Sequence, residues 1–136
     1  MPAAVLWAGI LWIVYGVLQL VGIVLNMLSP PVNLPQIGCT LLFGIAFLFV
    51  GYQTVTGTAK DTLGNAIGSL ILGLLVALLA VMILAGGQQL QIDPRVRLAA
   101  AISAALSAAL LIVAGVLALA GRADYRAWRS ARGPYR

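Results

Sequence analysis

Four stretches of this chain run without a single charged side chain: Ala3–Leu28, Ile37–Val55, Leu63–Leu84 and Leu98–Ala120. Each reaches the roughly 20 residues that a helix needs to cross a bilayer. Between them lie short segments where Pro, Gly, Asn, Gln and the few charges gather. Hydrocarbon offers no water to unpaired backbone groups, so apolar runs of this length must close their own hydrogen bonds as helices. The pattern predicts an all-α integral membrane protein, a bundle of four transmembrane helices. Its domain would span 1–121, with hairpins 1–57 and 63–121, followed by a tail over 122–136.

Two loop phrases resemble each other, "SPPVNL" at 29–34 and "DPRVRL" at 93–98. Ser29 and Asp93 are suitable N-caps, with side-chain oxygens that accept from free backbone N–H groups. Pro30 and Pro94 would then occupy the first helical position, where a missing N–H costs nothing. Pro35 is expected to kink or break the second helix near its start. Arg95 and Arg97 are expected to reach outer headgroups from a fourth helix running from Pro94 to about Ala120.

The resemblance extends further. Shifting the chain by 64 residues pairs Leu6–Ala59 with Leu70–Ala123 and gives 13 identities in 54 pairs, among them Gly9/Gly73, Gly51/Gly115 and Gly57/Gly121. Composition alone would give roughly five or six. Small residues also recur at equal steps: Gly9–Gly16–Gly22, Gly44–Gly51–Gly57, Gly73–Ala80–Gly86 and Ala108–Gly115–Gly121. We read two duplicated in–out–in hairpins, related by a pseudo-two-fold axis along the membrane normal. Convergent membrane composition is the alternative.

Composition agrees with the pattern. Of 136 residues, 62% are hydrophobic and 8% charged, against about a quarter charged in soluble domains. A water-facing surface cannot be built from so few charges. The first run lacks the basic start and cleavage site of a signal peptide, so it is expected to be a retained span. Lys60, Arg122, Arg126, Arg129, Arg132 and Arg136 fall on one side of the predicted topology, and Arg95 and Arg97 on the other. That bias orients both termini to the cytoplasm, in a bacterial inner (plasma) membrane. The net charge of +5 is concentrated in the tail, directly after a span, which points to anionic headgroups and away from nucleic acid. Cys39, the lone cysteine, has no partner for an internal disulfide.

Candidate chemistry is sparse. On the first helix Ala8, Trp12, Tyr15, Gln19, Gly22 and Asn26 share one face, expected to point inward. Tyr15, Gln19 and Asn26 would form either a narrow polar path or solute site, or a polar clamp between helices. Ser69, Gly73 and Ala77 on the third helix, and Ala100, Ser103, Ala104 and Ser107 on the fourth, form small-residue faces suited to packing or to oligomerisation. Gln88, Gln89 and Gln91 would line a vestibule or a solvated turn. In the tail, Arg122, Arg126, Trp128 and Arg129 are candidate anionic-lipid contacts, with an acidic protein partner as the sharper alternative.

There is no histidine, and Asp61, Asp93 and Asp124 all fall outside the apolar runs. A proton-coupled exporter is therefore not expected, nor is an enzyme, a metal centre or a cofactor. The expected role is a non-catalytic structural protein or accessory subunit, in a homo-oligomer or with partner membrane subunits. The alternative is a passive channel or carrier for a neutral or apolar small solute.

Overall fold

The computed structural model describes residues 1–28, 34–86 and 94–132. Five helices follow one another: α1 (Ala3–Leu28), α2 (Leu34–Thr56), α3 (Leu63–Ala85), α4 (Pro94–Ala120) and α5 (Arg122–Ala131). The first four are long and apolar enough to cross a membrane. Pro35 is the second residue of α2, in the first turn, where no helical carbonyl needs its N–H. The helix continues to Thr56 without the expected break. Ser29, Pro30, Gln88, Gln89, Gln91 and Asp93 lie outside the described residues.

α1 packs along α2 and α3 along α4, while α1 also lies against α4 and so joins the two hairpins. α2 makes extensive contact with α1 alone. Glycines set the close approaches. A Cβ on Gly51 would sit 2.7 Å from the Gly9 carbonyl oxygen, and one on Gly16 would sit 2.8 Å from that of Gly44. Without side chains at these positions the backbones of α1 and α2 come nearly into contact, the close approach that small residues permit.

The α3–α4 pairing does not copy this register. Gly51 faces Gly9 and Ile13, which the 64-residue offset carries to Gly73 and Ala77. Its counterpart Gly115 instead faces Ala66 and Leu70, seven residues earlier. Seven residues are about two helical turns, so the second hairpin keeps a similar face but slides along it.

Packing is uneven along the bundle. Ala8, Trp12, Ala66, Leu111, Ala114 and Ala118 are fully buried and form the core with Tyr15. Every described non-glycine residue with no exposed surface belongs to the half nearer the chain termini, from Val5 and Thr54 to Thr62 and Tyr125. Toward the 29–33 and 87–93 end, buried side chains thin out to Ile23, Ile37, Ala80 and Ala101.

The α2–α3 turn is closed locally. Gly57 takes φ of 75°, a left-handed value that glycine adopts at helix ends without penalty. The N–H groups of Thr58 and Ala59 then return to the Gln53 carbonyl at 2.9 and 3.1 Å. Asp61 Oδ1 accepts from the N–H groups of Thr62 and Leu63 at 2.7 and 3.3 Å, starting α3.

Candidate functional site

The α1 face expected to point inward divides into two parts. Ala8, Trp12 and Tyr15 enter the core, whereas Gln19, Gly22 and Asn26 line a cleft. The division has a cause in packing. Near the termini α3 covers the face, and the Trp12 indole donates to Ser69 Oγ at 2.9 Å. Ser69 in turn donates to the Leu111 carbonyl at 2.6 Å, so one hydroxyl ties α1, α3 and α4 together. Two turns farther along, no helix covers α1 in this way, and its polar residues face open space.

The cleft has a volume of about 190 Å³ and is bounded by α1, α2 and α4. Gln36 and Thr40 from α2 and Ser103 from α4 join Gln19 and Asn26, with Gly22, Ile23 and Ile37 completing the walls. From Gln19 to Asn26 it extends about 10 Å along α1, toward the 29–33 end. None of the described lining residues carries a charge. Tyr15 is not part of it. One turn nearer the termini its ring packs edge-on to Phe47, with centroids 5.1 Å apart and planes at 80°, and it is only 4% exposed. This aromatic pair lies just beyond the inner end of the cleft. A smaller recess of about 140 Å³, between Phe47 and Val50 of α2 and Asn65 and Gly68 of α3, lies on the other side of that pair.

The small-residue faces have separate uses. Ser69 and Gly73 are buried, and a Cβ on Gly73 would meet Ile112 Cγ1 at 2.8 Å, so they serve packing within the chain. Ala77, Ala100, Ala104 and Ser107 are half-buried, and Ser103 is exposed to the cleft. Gln36 and Thr40 stand one turn apart on α2, in a stretch whose other residues are apolar. Their spacing was the available signal for a polar wall opposite Gln19.

The tail forms a second constellation. α5 folds back onto the α2–α3 turn, where Arg122 grips Asp61 with two bonds, Nε to Oδ1 at 2.9 Å and Nη2 to Oδ2 at 2.8 Å. That bidentate bond holds the Asp61 carboxyl down at about 2, against an ordinary value of 3.8. Tyr125 is fully buried and donates its hydroxyl to the Ala59 carbonyl. Burial pushes its phenol pKa upward, which keeps that donor protonated. Trp128 rests on Gly57, and the Arg132 guanidinium stacks 4.4 Å from its ring centroid. Arg129 Nε is buried with no hydrogen-bond partner among the described residues. Of the four residues assigned to lipid by charge, Arg126 alone is exposed.

Among the described residues there is no group of His, Cys, Asp or Glu able to hold a metal ion. The chain matches no family model, and neither a curated protein nor a solved structure is similar enough to match it.

Proposed function

We propose that this chain is an integral membrane protein acting as a non-catalytic, self-assembling or accessory subunit, with both termini in the cytoplasm. The observation that carries this reading is the one-sided packing of the bundle. α2 makes extensive contact with α1 alone, and among the described residues the half away from the termini holds few buried side chains. Helices in lipid associate through close van der Waals contact and interhelical hydrogen bonds, and here much of that capacity faces outward. Between α1 and α4 an apolar groove of about 340 Å³, lined by Leu11, Val14, Leu18, Leu106, Leu110 and Val113, is shaped for an added helix. The exposed Arg126 and Lys60 favour contact with anionic headgroups.

The test is to extract the protein in native nanodiscs, without detergent stripping, and to weigh the particles. Several copies, or a stoichiometric second membrane chain, are expected. A lone copy in every particle overturns the assembly reading.

The cleft at Gln19 favours a second reading, a passive carrier of a neutral solute. Its uncharged polar lining suits such a solute, and the Tyr15–Phe47 pair would have to part for passage. Proteoliposome flux that Gln19→Leu leaves unchanged overturns this second reading.

A further inference from the structure

We propose that the cleft at Gln19, Asn26, Gln36, Thr40 and Ser103 is a hydrated, one-ended binding site for a small uncharged solute rich in hydroxyl or amide groups. It is entered from the side of the membrane opposite the chain termini. The proposal deepens the solute reading and rests on it, but it concerns occupancy alone and needs no transport.

Four observations converge on it. Polar side chains from three helices meet at one place, on helices that are otherwise apolar there. Those of Gln19, Asn26, Thr40 and Ser103 spend no hydrogen bond on another of the described residues. An amide offers two donors and an acceptor oxygen with two lone pairs, and a hydroxyl offers both functions. Capacity of that kind is costly to leave unmet in hydrocarbon, so water or a polar ligand must take it up.

The second observation is size. A water in bulk liquid takes about 30 Å³, so about 190 Å³ holds several waters or one small solute, and not a bulky one. Third, the lining is uncharged among the described residues. An ion leaving water for this site would lose its hydration without meeting an opposite charge, so the site selects against ions.

Gly22 supplies the fourth. Gly9 and Gly16 on the same helix are pressed against α2, but a Cβ on Gly22 would meet nothing within 4 Å. Helix contact does not require glycine at this position. Its effect is to widen the cleft between Gln19 and Asn26. It also supplies a test variant, because a Cβ there displaces no neighbour and Gly22→Leu adds bulk beside the cleft while raising helix propensity.

The experiment uses full-length protein in liposomes with Cys39 replaced by Ala. Ser103→Cys is labelled with a small water-soluble methanethiosulfonate, beside Leu74→Cys, whose parent side chain is 63% exposed on the apolar surface of α3. Thiolate is the reacting form and needs water to exist, so Ser103→Cys should react at least about tenfold faster than the Leu74→Cys control. Glycerol or urea at molar concentration should slow it several-fold, while sucrose at the same osmolality, too large for the cleft, should not. Gly22→Leu should slow it as much as saturating glycerol does. Thr40→Cys on the opposite wall should repeat the pattern, so that one poorly folded variant does not decide the matter.

Labelling of both cleft cysteines as slow as the Leu74→Cys control means that lipid or a neighbouring chain fills the cleft, and overturns the proposal. Fast labelling that neither glycerol nor urea slows shows a wet gap without a site, and also overturns it. Protection without flux retains the site and defeats only transport.

Discussion

Ser69 shows how much a single hydroxyl can organise in a chain with so few polar groups. It accepts from Trp12 on α1 and donates to the Leu111 carbonyl on α4, and all three residues are fully buried. Ser69→Ala strips the indole N–H of its acceptor while leaving both neighbours in place. The expected loss is about 1–2 kcal/mol, read as an earlier midpoint when the folded protein is titrated with SDS. Trp12→Phe should cost a similar amount, and the double variant less than the two together, because one bond is removed twice. Fully additive costs would show that the bond contributes nothing. Glycines differ among themselves for equally local reasons. A Cβ on Gly51 meets Ile13 Cγ1 at 2.6 Å and the Gly9 carbonyl at 2.7 Å, and the backbone has no room to retreat. Gly51→Ala should therefore destabilise the first hairpin by about 1–3 kcal/mol. Gly22→Ala, facing open space, should be neutral or stabilising by up to about 1 kcal/mol. Equal effects in the same SDS titration would contradict this account of the two positions.

Among the elements, α5 is the one whose contacts within the chain were least legible in the sequence. Its arginines and aromatics read as an interfacial anchor, yet Arg122, Tyr125, Trp128 and Arg132 all engage the turn at 57–61. The reason is long-range. Asp61 and Arg122 are separated by 61 positions, and no local periodicity reveals that the end of α4 brings them together. Because α5 continues from α4 and grips the turn that begins α3, it fastens the termini end of the bundle. The ion pair gives this clasp a pH dependence whose sign is fixed. The Asp61 carboxyl is depressed in the folded state, from an ordinary 3.8 to about 2. Its contribution is complete above the ordinary value and disappears as pH falls through the folded value. Trp128 fluorescence, followed in a Trp7→Phe, Trp12→Phe background, should hold steady down to pH 4 and shift between about 3.8 and 2. Asp61→Asn should remove that transition and let trypsin cut at Arg126 sooner at neutral pH. A transition that survives Asp61→Asn assigns the pH response to some other group.

At the scale of the whole molecule, what was legible is what depends on local periodicity and solvent. Charge-free runs mark α1, α2, α3 and α4 to within a few residues of their ends, because an apolar run of that length, if it is to sit in hydrocarbon, must close its own backbone bonds as a helix. Gln19 and Asn26 were legible as a shared face for the same reason. Tyr15 lies on that face but went to the core, because Phe47 reaches it from α2. Helix register and tertiary coverage decided this, and neither is written in the spacing of α1. The seven-residue slide between hairpins is likewise a matter of side-chain fit at Gly115 against Ala66 and Leu70. Among the described residues the bundle is fastened near its termini and less densely packed away from them, and hydrogen exchange should report that gradient. In lipid nanodiscs an amide exchanges when its helical bond opens where water can reach it. Residues 8–15 of α1 are sealed by the core, whereas residues 19–26 border a polar cleft. Peptides covering 19–26 should therefore exchange at least about tenfold faster than those covering 8–15. Gly22→Leu should narrow the difference by displacing water from the cleft. Equal protection along α1 would mean that the far half is as dry and closed as the near half. Faster exchange that Gly22→Leu leaves untouched would assign it to fraying of the helix end, with no contribution from the cleft.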